Sequence, residues 1–160
     1  MTALDAPSTE CRDIRNKTGF FVDCNASESE KICSYFQTAE LKAGDVLFRE
    51  GETGDSMAFI ISGKLAVKKE TEFPGKYFIL SILGPGSFVG EYVATAETKN
   101  PIHNATVAAA EDTVIAILSR NDFNDLLEKH PGAGIKLLKT MLHAVAERLN
   151  SANRRLAMVF

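Results

Sequence analysis

Between Gly84 and Val107 the chain places close together the residue types needed to hold a small anion. Gly84-Pro85-Gly86-Ser87-Phe88-Val89-Gly90-Glu91 supplies glycines, whose missing Cβ lets backbone N–H groups approach a ligand. It ends in a carboxylate, Glu91, able to accept hydrogen bonds from sugar hydroxyls. The second half reads Pro101-Ile102-His103-Asn104-Ala105-Thr106-Val107. A cation for a phosphate is expected there, and the residue present is His103.

Other chemistries find less support. His103, His130 and His143 lack paired metal-ligand spacing, and no Ser-His-Asp arrangement can be read, so neither a metal nor an enzymatic activity is expected. Cys11, Cys24 and Cys33 are odd in number, widely spaced and without a Cys-x-x-Cys pair. Neither disulfide scaffolding nor an iron–sulfur cluster is expected of them.

A chain of 160 residues, 45% hydrophobic, suits one domain with a real core. Its formal net charge of −3 leaves no whole-chain footprint for nucleic acid, and Arg148, Arg154 and Arg155 form only a modest basic group. There is no charged-then-apolar leader and no apolar run near the roughly 20 residues that span a bilayer, so a cytoplasmic protein without membrane attachment is the expectation.

The elements that must position the cassette follow from periodicity. Residues 1 to about 15 lack a period and read as a flexible lead-in to a single domain over 16–160. Ser27 with Glu30 makes a capping box for a short helix carrying Ile32, Cys33, Tyr35 and Phe36. From about 41 to 118, short apolar runs alternate with turn signals such as Gly44-Asp45, Gly54-Asp55 and Pro74-Gly75 at intervals of roughly ten residues, the pattern of an all-β roll.

Helices follow over about 120–158. Ser119 caps the first, with Asp122 at its third position, and Pro131 separates it from the second. Ile135, Leu138, Leu142, Val145, Leu149, Ala152, Leu156 and Val159 then alternate by three and four, a heptad seam. Such a stripe can face the roll. Its regularity and the charged flanks Glu147, Arg148 and Arg154 favour pairing with a second copy, hence a homodimer through a coiled coil.

The run from Ala43 to Val67, with Gly44-Asp45, Gly51, Gly54-Asp55 and Gly63, resembles the glycine-spaced opening of cyclic nucleotide-binding domains. The resemblance continues through Gly86-Ser87-Phe88-Val89-Gly90-Glu91, Ala105-Thr106-Val107 and Leu118 to Phe123, covering roughly residues 18 to 155. It implies an eight-stranded antiparallel β-roll of the double-stranded β-helix, or jelly-roll, type, with a short N-terminal helix and a long C-terminal dimerisation helix. The subtype it resembles is the catabolite-activator-like regulatory domain. With no helix-turn-helix after the last helix, direct DNA binding is not expected.

The resemblance also implies a ligand, cyclic AMP or cyclic GMP. It assigns the pocket to Phe88, Gly90, Glu91, Tyr92, Val93, His103, Asn104 and Ala105, with Glu91 on the ribose 2′-hydroxyl and Asn153 covering the base. Three positions depart from the family pattern. His103 stands for the phosphate-binding arginine, Asn104 for a small residue, and Val93 for a small residue where branching crowds the ligand.

Histidine, with an ordinary pKa near 6.5, is mostly neutral at pH 7 and lacks the guanidinium fork. Loss of the buried partner is expected to cost about 2–5 kcal/mol, enough to turn micromolar binding millimolar. Lys99, in the loop joining the two halves, is a candidate for partial compensation. The expected function is a cyclic-nucleotide-type sensor domain reporting to an unidentified protein partner. The alternative is a degenerate fold serving as a dimeric interaction module or binding a different small anion.

Overall fold

The computed structural model describes residues 9–160. Helices α1 (Thr9–Thr18) and α2 (Ala26–Cys33) precede strands β1 (Gln37–Leu41), β2 (Val46–Phe48), β3 (Ser56–Ser62), β4 (Leu65–Glu70), β5 (Tyr77–Leu83) and β6 (Phe88–Val89). A one-turn helix α3 (Glu91–Ala94), strands β7 (Thr106–Ala109) and β8 (Thr113–Ser119), and helices α4 (Arg120–Lys129) and α5 (Pro131–Val159) complete the chain. The strands form two four-stranded antiparallel sheets, ordered β1-β8-β3-β6 and β2-β7-β4-β5.

Strand β3 shows why the sheets and helices sit as they do. Successive side chains point to opposite faces of a strand. Met57, Phe59 and Ile61 enter a core shared with the helices, while Ala58 and Ile60 enter a second core with Leu65, Val89, Val107 and Ile115 between the sheets. The helix-side core holds an aromatic cluster in which Phe59 meets Phe20 edge-on, centroids 4.9 Å apart, and also contacts Phe36 and Phe88.

Two N-terminal expectations are corrected. Residues 1–8 of the expected flexible lead-in lie outside the described residues, but from Thr9 onward the chain is helical, with Cys11 and Ile14 buried. The two apolar side chains give α1 something to bury, which a search for a long period overlooks. A disulfide joins Cys11 to Cys33, contrary to the expectation from cysteine number, because the turn between α1 and α2 brings together residues 22 apart in sequence. Cys24 is a buried free thiol, and burial pushes its pKa up.

The cap of α2 also differs. Asn25, rather than Ser27, accepts from the Glu28 N–H at 2.9 Å, and the Asn25 carbonyl receives the Ser29 hydroxyl. Ser119 does cap α4, accepting from Asp122 N at 3.0 Å, and Pro131 occupies the first turn of α5.

Helix α5 presents two faces. Ala133, Leu137 and Met141 are buried against the helix-side core. Of the heptad positions Leu138 is partly buried against that core, whereas Ile135, Leu142, Val145, Leu149, Leu156 and Val159 are exposed on the single chain. The seam is therefore largely separate from the face that seats the helix.

Phe59 is fully buried among three aromatic rings, so Phe59→Ala is expected to lower unfolding free energy by about 3–5 kcal/mol. Urea titration checks this. A loss below about 1 kcal/mol would show that the aromatic cluster does not anchor the helices to the roll.

Candidate functional site

Strand β6 is only Phe88–Val89, and its direction is reversed at Gly90, which takes φ of 83° as it opens α3. A Cβ there would lie 2.6 Å from the Ser56 carbonyl oxygen, so both the left-handed conformation and the close approach to β3 require glycine. The turn places Glu91 over a cavity of about 110 Å³. Its walls are the apolar side chains of Phe48, Val67, Leu83, Val89 and Val107, and its polar groups come from Glu91, His103, Asn104 and Arg148.

Of the predicted site residues, Gly90, Glu91, Tyr92, His103, Asn104 and Ala105 line this cavity together. Phe88 does not, because β6 alternates: Val89 faces the cavity and the Phe88 ring faces the helix-side core. Val93 is completely buried and absent from the lining, so its branching does not crowd the cavity. Asn153 is exposed and outside the lining, roughly 7.5 Å beyond Arg148 along α5 at about 1.5 Å per residue. Lys99 lies in a separate shallow cleft with Arg120 and Asp55.

His103 is held tightly and without charge. Its ring stacks on Phe48 at 4.1 Å between centroids and 17° between planes. Gly54 backs the ring so closely that a Cβ there would be 2.0 Å from Nε2. The His103 N–H donates to the Glu52 carbonyl and its own carbonyl accepts from Gly51, each at 2.9 Å. Burial lowers the His103 pKa, with the charges of Glu52 and Asp55 opposing, so the imidazole is neutral at pH 7.

The nearby Lys69 is already engaged. It pairs with Glu50 at 2.6 Å and donates to the Asn104 carbonyl at 2.7 Å. That ion pair holds the Glu50 carboxyl below the ordinary range.

The cation in the cavity comes from elsewhere. Arg148 of α5 reaches the cassette, with Nη1 3.6 Å from Glu91 Oε1 and Nη2 donating to the Phe88 carbonyl. Its guanidinium carbon lies 4.7 Å from the Phe88 ring centroid, within cation–π range. Among the described residues its buried Nε has no hydrogen-bond partner. Burial lowers the Arg148 pKa, partly offset by Glu91, yet an arginine remains a cation.

By the heptad pattern alone Arg148 is a solvated flank of the seam. A signal was present: Arg148 follows Met141 by seven residues and so extends the stripe Ala133, Leu137, Met141 that faces the roll.

Comparison with known proteins agrees with this architecture. The family model described as the cyclic nucleotide-binding domain matches residues 38–130. The Cyclic AMP receptor protein of Thermus thermophilus is 29% identical over 82% of the chain and 57% of its own length. The lysophospholipase NTE1 of Phaeosphaeria nodorum is 33% identical over 62% of the chain, which thereby spans only 6% of that enzyme.

Among solved structures, a cyclic nucleotide-binding domain from Methylobacillus flagellatus superposes with a TM-score of 0.78 at 23% identity, covering 94% of this chain and 85% of that one. The Thermus thermophilus catabolite activator protein superposes with a TM-score of 0.70 at 26% identity, covering 89% and 63%. The chain belongs to the cyclic nucleotide-binding domain family.

Proposed function

We propose that the chain is a regulatory sensor domain for a cyclic nucleotide, cyclic AMP or cyclic GMP, in which Arg148 supplies the cation that His103 does not. The observation that carries this reading is the Arg148 guanidinium seated on Glu91 inside the cassette. A pair at 3.6 Å with both side chains partly exposed contributes at most about 1 kcal/mol. A ligand phosphate, which carries a full charge and can also satisfy the unpartnered Nε, competes for the guanidinium and leaves Glu91 to the ribose hydroxyl.

The cavity of about 110 Å³ is smaller than the ~300 Å³ at the lower end of ligand pockets. Entry of a nucleotide therefore requires Arg148, and α5 with it, to shift. Binding is in this way coupled to the helix that carries the exposed seam, and the signal is a population shift between helix positions. We place the dimer contact on Leu142, Val145, Leu149 and Leu156, which leave a large apolar face uncovered on one chain. The readout passes to a protein partner in the cytoplasm. Among the described residues no helix is long and apolar enough to cross a membrane.

A second reading has two observations in its favour. Neutral His103 and the small cavity also fit a domain in which Arg148 holds the pocket shut and the fold acts as a dimeric interaction module or takes another small anion.

Titration calorimetry with cyclic AMP and cyclic GMP separates the readings. The sensor reading expects saturable binding below millimolar ligand, about tenfold or more weaker in Arg148→Gln and tighter in His103→Arg. Absence of heat with either nucleotide at millimolar concentration, or tighter binding in Arg148→Gln, favours the closed module. For the assembly, sedimentation at micromolar protein is expected to show a dimer that Leu142→Glu converts to monomer. A wild-type monomer would remove the seam from the account.

A further inference from the structure

The Cys11–Cys33 bridge does not line the cassette cavity and has no part in the ligand reading. Cys11 sits in the first turn of α1 and Cys33 is the last residue of α2, with Cα atoms 5.6 Å apart. Cys33 is partly exposed, and a hollow of about 40 Å³ lined by Cys11, Arg12, Arg15, Ser29 and Glu30 opens beside the buried partner. Cys33 is thus the partner open to attack from solvent, whereas Cys11 and Cys24 are both buried.

The bridge also holds a place of mechanical importance. Ile32, adjacent to Cys33, is fully buried in the cluster that contains Leu137 and Met141 of α5, and Glu28 of α2 pairs with Lys136 of α5 at 2.9 Å. Through Ile14, α1 packs into the same cluster. The crosslink therefore ties α1 to the helix on which α5 rests.

We propose that Cys11 and Cys33 form a reversible thiol–disulfide exchange site, with low-molecular-weight dithiols and disulfides as co-reactants, whose oxidised form locks α1 and α2 into one seat for α5. In reduction a thiolate of the dithiol attacks the more exposed Cys33 sulfur, the protein S–S bond breaks, and Cys11 leaves as thiolate. Its position in the first turn of α1, next to Arg12 and Arg15, favours that leaving group. The second thiol of the reductant then attacks the mixed disulfide and releases Cys33. Two electrons and two protons pass to the protein, and a dithiol departs as a cyclic disulfide; with glutathione, a monothiol, a second molecule carries out the second attack and the two depart as oxidised glutathione.

The test uses the full chain equilibrated in mixtures of reduced and oxidised glutathione, quenched in acid, denatured, alkylated and weighed by mass spectrometry, with amide hydrogen exchange on parallel samples. Alkylatable cysteines are expected to fall together from three to one, leaving Cys24. Amides of α1 and of the first turns of α5 are expected to exchange about tenfold faster in the reduced form. Cys11→Ser should exchange like reduced wild type at every glutathione ratio. If that variant does not fold, wild type in dithiothreitol supplies the comparison. Three alkylatable cysteines in excess oxidised glutathione, a bridge that resists dithiothreitol in the folded protein, or α5 exchange unchanged by reduction would each overturn the proposal.

Discussion

Beyond the apolar core that seats α5 on the roll, the guanidinium of Arg148 ties that helix directly to the cassette. Arg148 is anchored by the Phe88 carbonyl and ring on one side and by Glu91 on the other, so the cassette and α5 cannot move independently while those contacts hold. Its energetics are unequal. The contact to a backbone carbonyl beside an aromatic face is sheltered, whereas the contact to Glu91 is longer and partly exposed. The part of the anchorage that a nucleotide would displace on the proposed reading is the weak part.

The reason the cation comes from α5 lies in how His103 is packed. Phe48 stacks on one face of the imidazole, Gly54 leaves no room behind it, and the backbone is bonded to the Gly51–Glu52 turn. That setting stabilises the neutral ring and builds the cavity wall as an apolar stack. Among the described residues that line the cavity, Arg148 alone carries a positive charge; Lys69 is committed to Glu50 and Lys99 lies in another cleft. On the proposed reading, charge neutralisation falls to Arg148 of α5, which would make binding and helix position one equilibrium.

Much of the fold could be read from the chain because local signals and tertiary packing agree. The turn glycines, the Ser119 cap and the two-sided burial of β3 all point to the same roll. What stayed hidden depends on contacts between distant residues. Ser27 and Glu30 make a plausible box, but Asn25 caps α2 because the incoming chain from α1 sets the helix start two residues earlier. The cysteine pair needed the α1–α2 turn to become visible. Phe88 and Val89 are neighbours in sequence and opposites in space, so naming a motif does not say which side chain reaches the cavity. Arg148 is the sharpest case: the heptad pattern drew attention to one face of α5, while the arginine continues the other.

The most direct test of this arrangement is the side-chain NMR signal of Arg148 Nε–Hε, assigned through an Arg148→Lys control and followed during addition of cyclic AMP. The account predicts that the signal moves in step with ligand occupancy and becomes protected from exchange with water as Nε gains a partner. A signal that stays fixed while cassette amides of Gly90 and Glu91 saturate would contradict it, because ligand would then bind without touching the group that links the roll to α5.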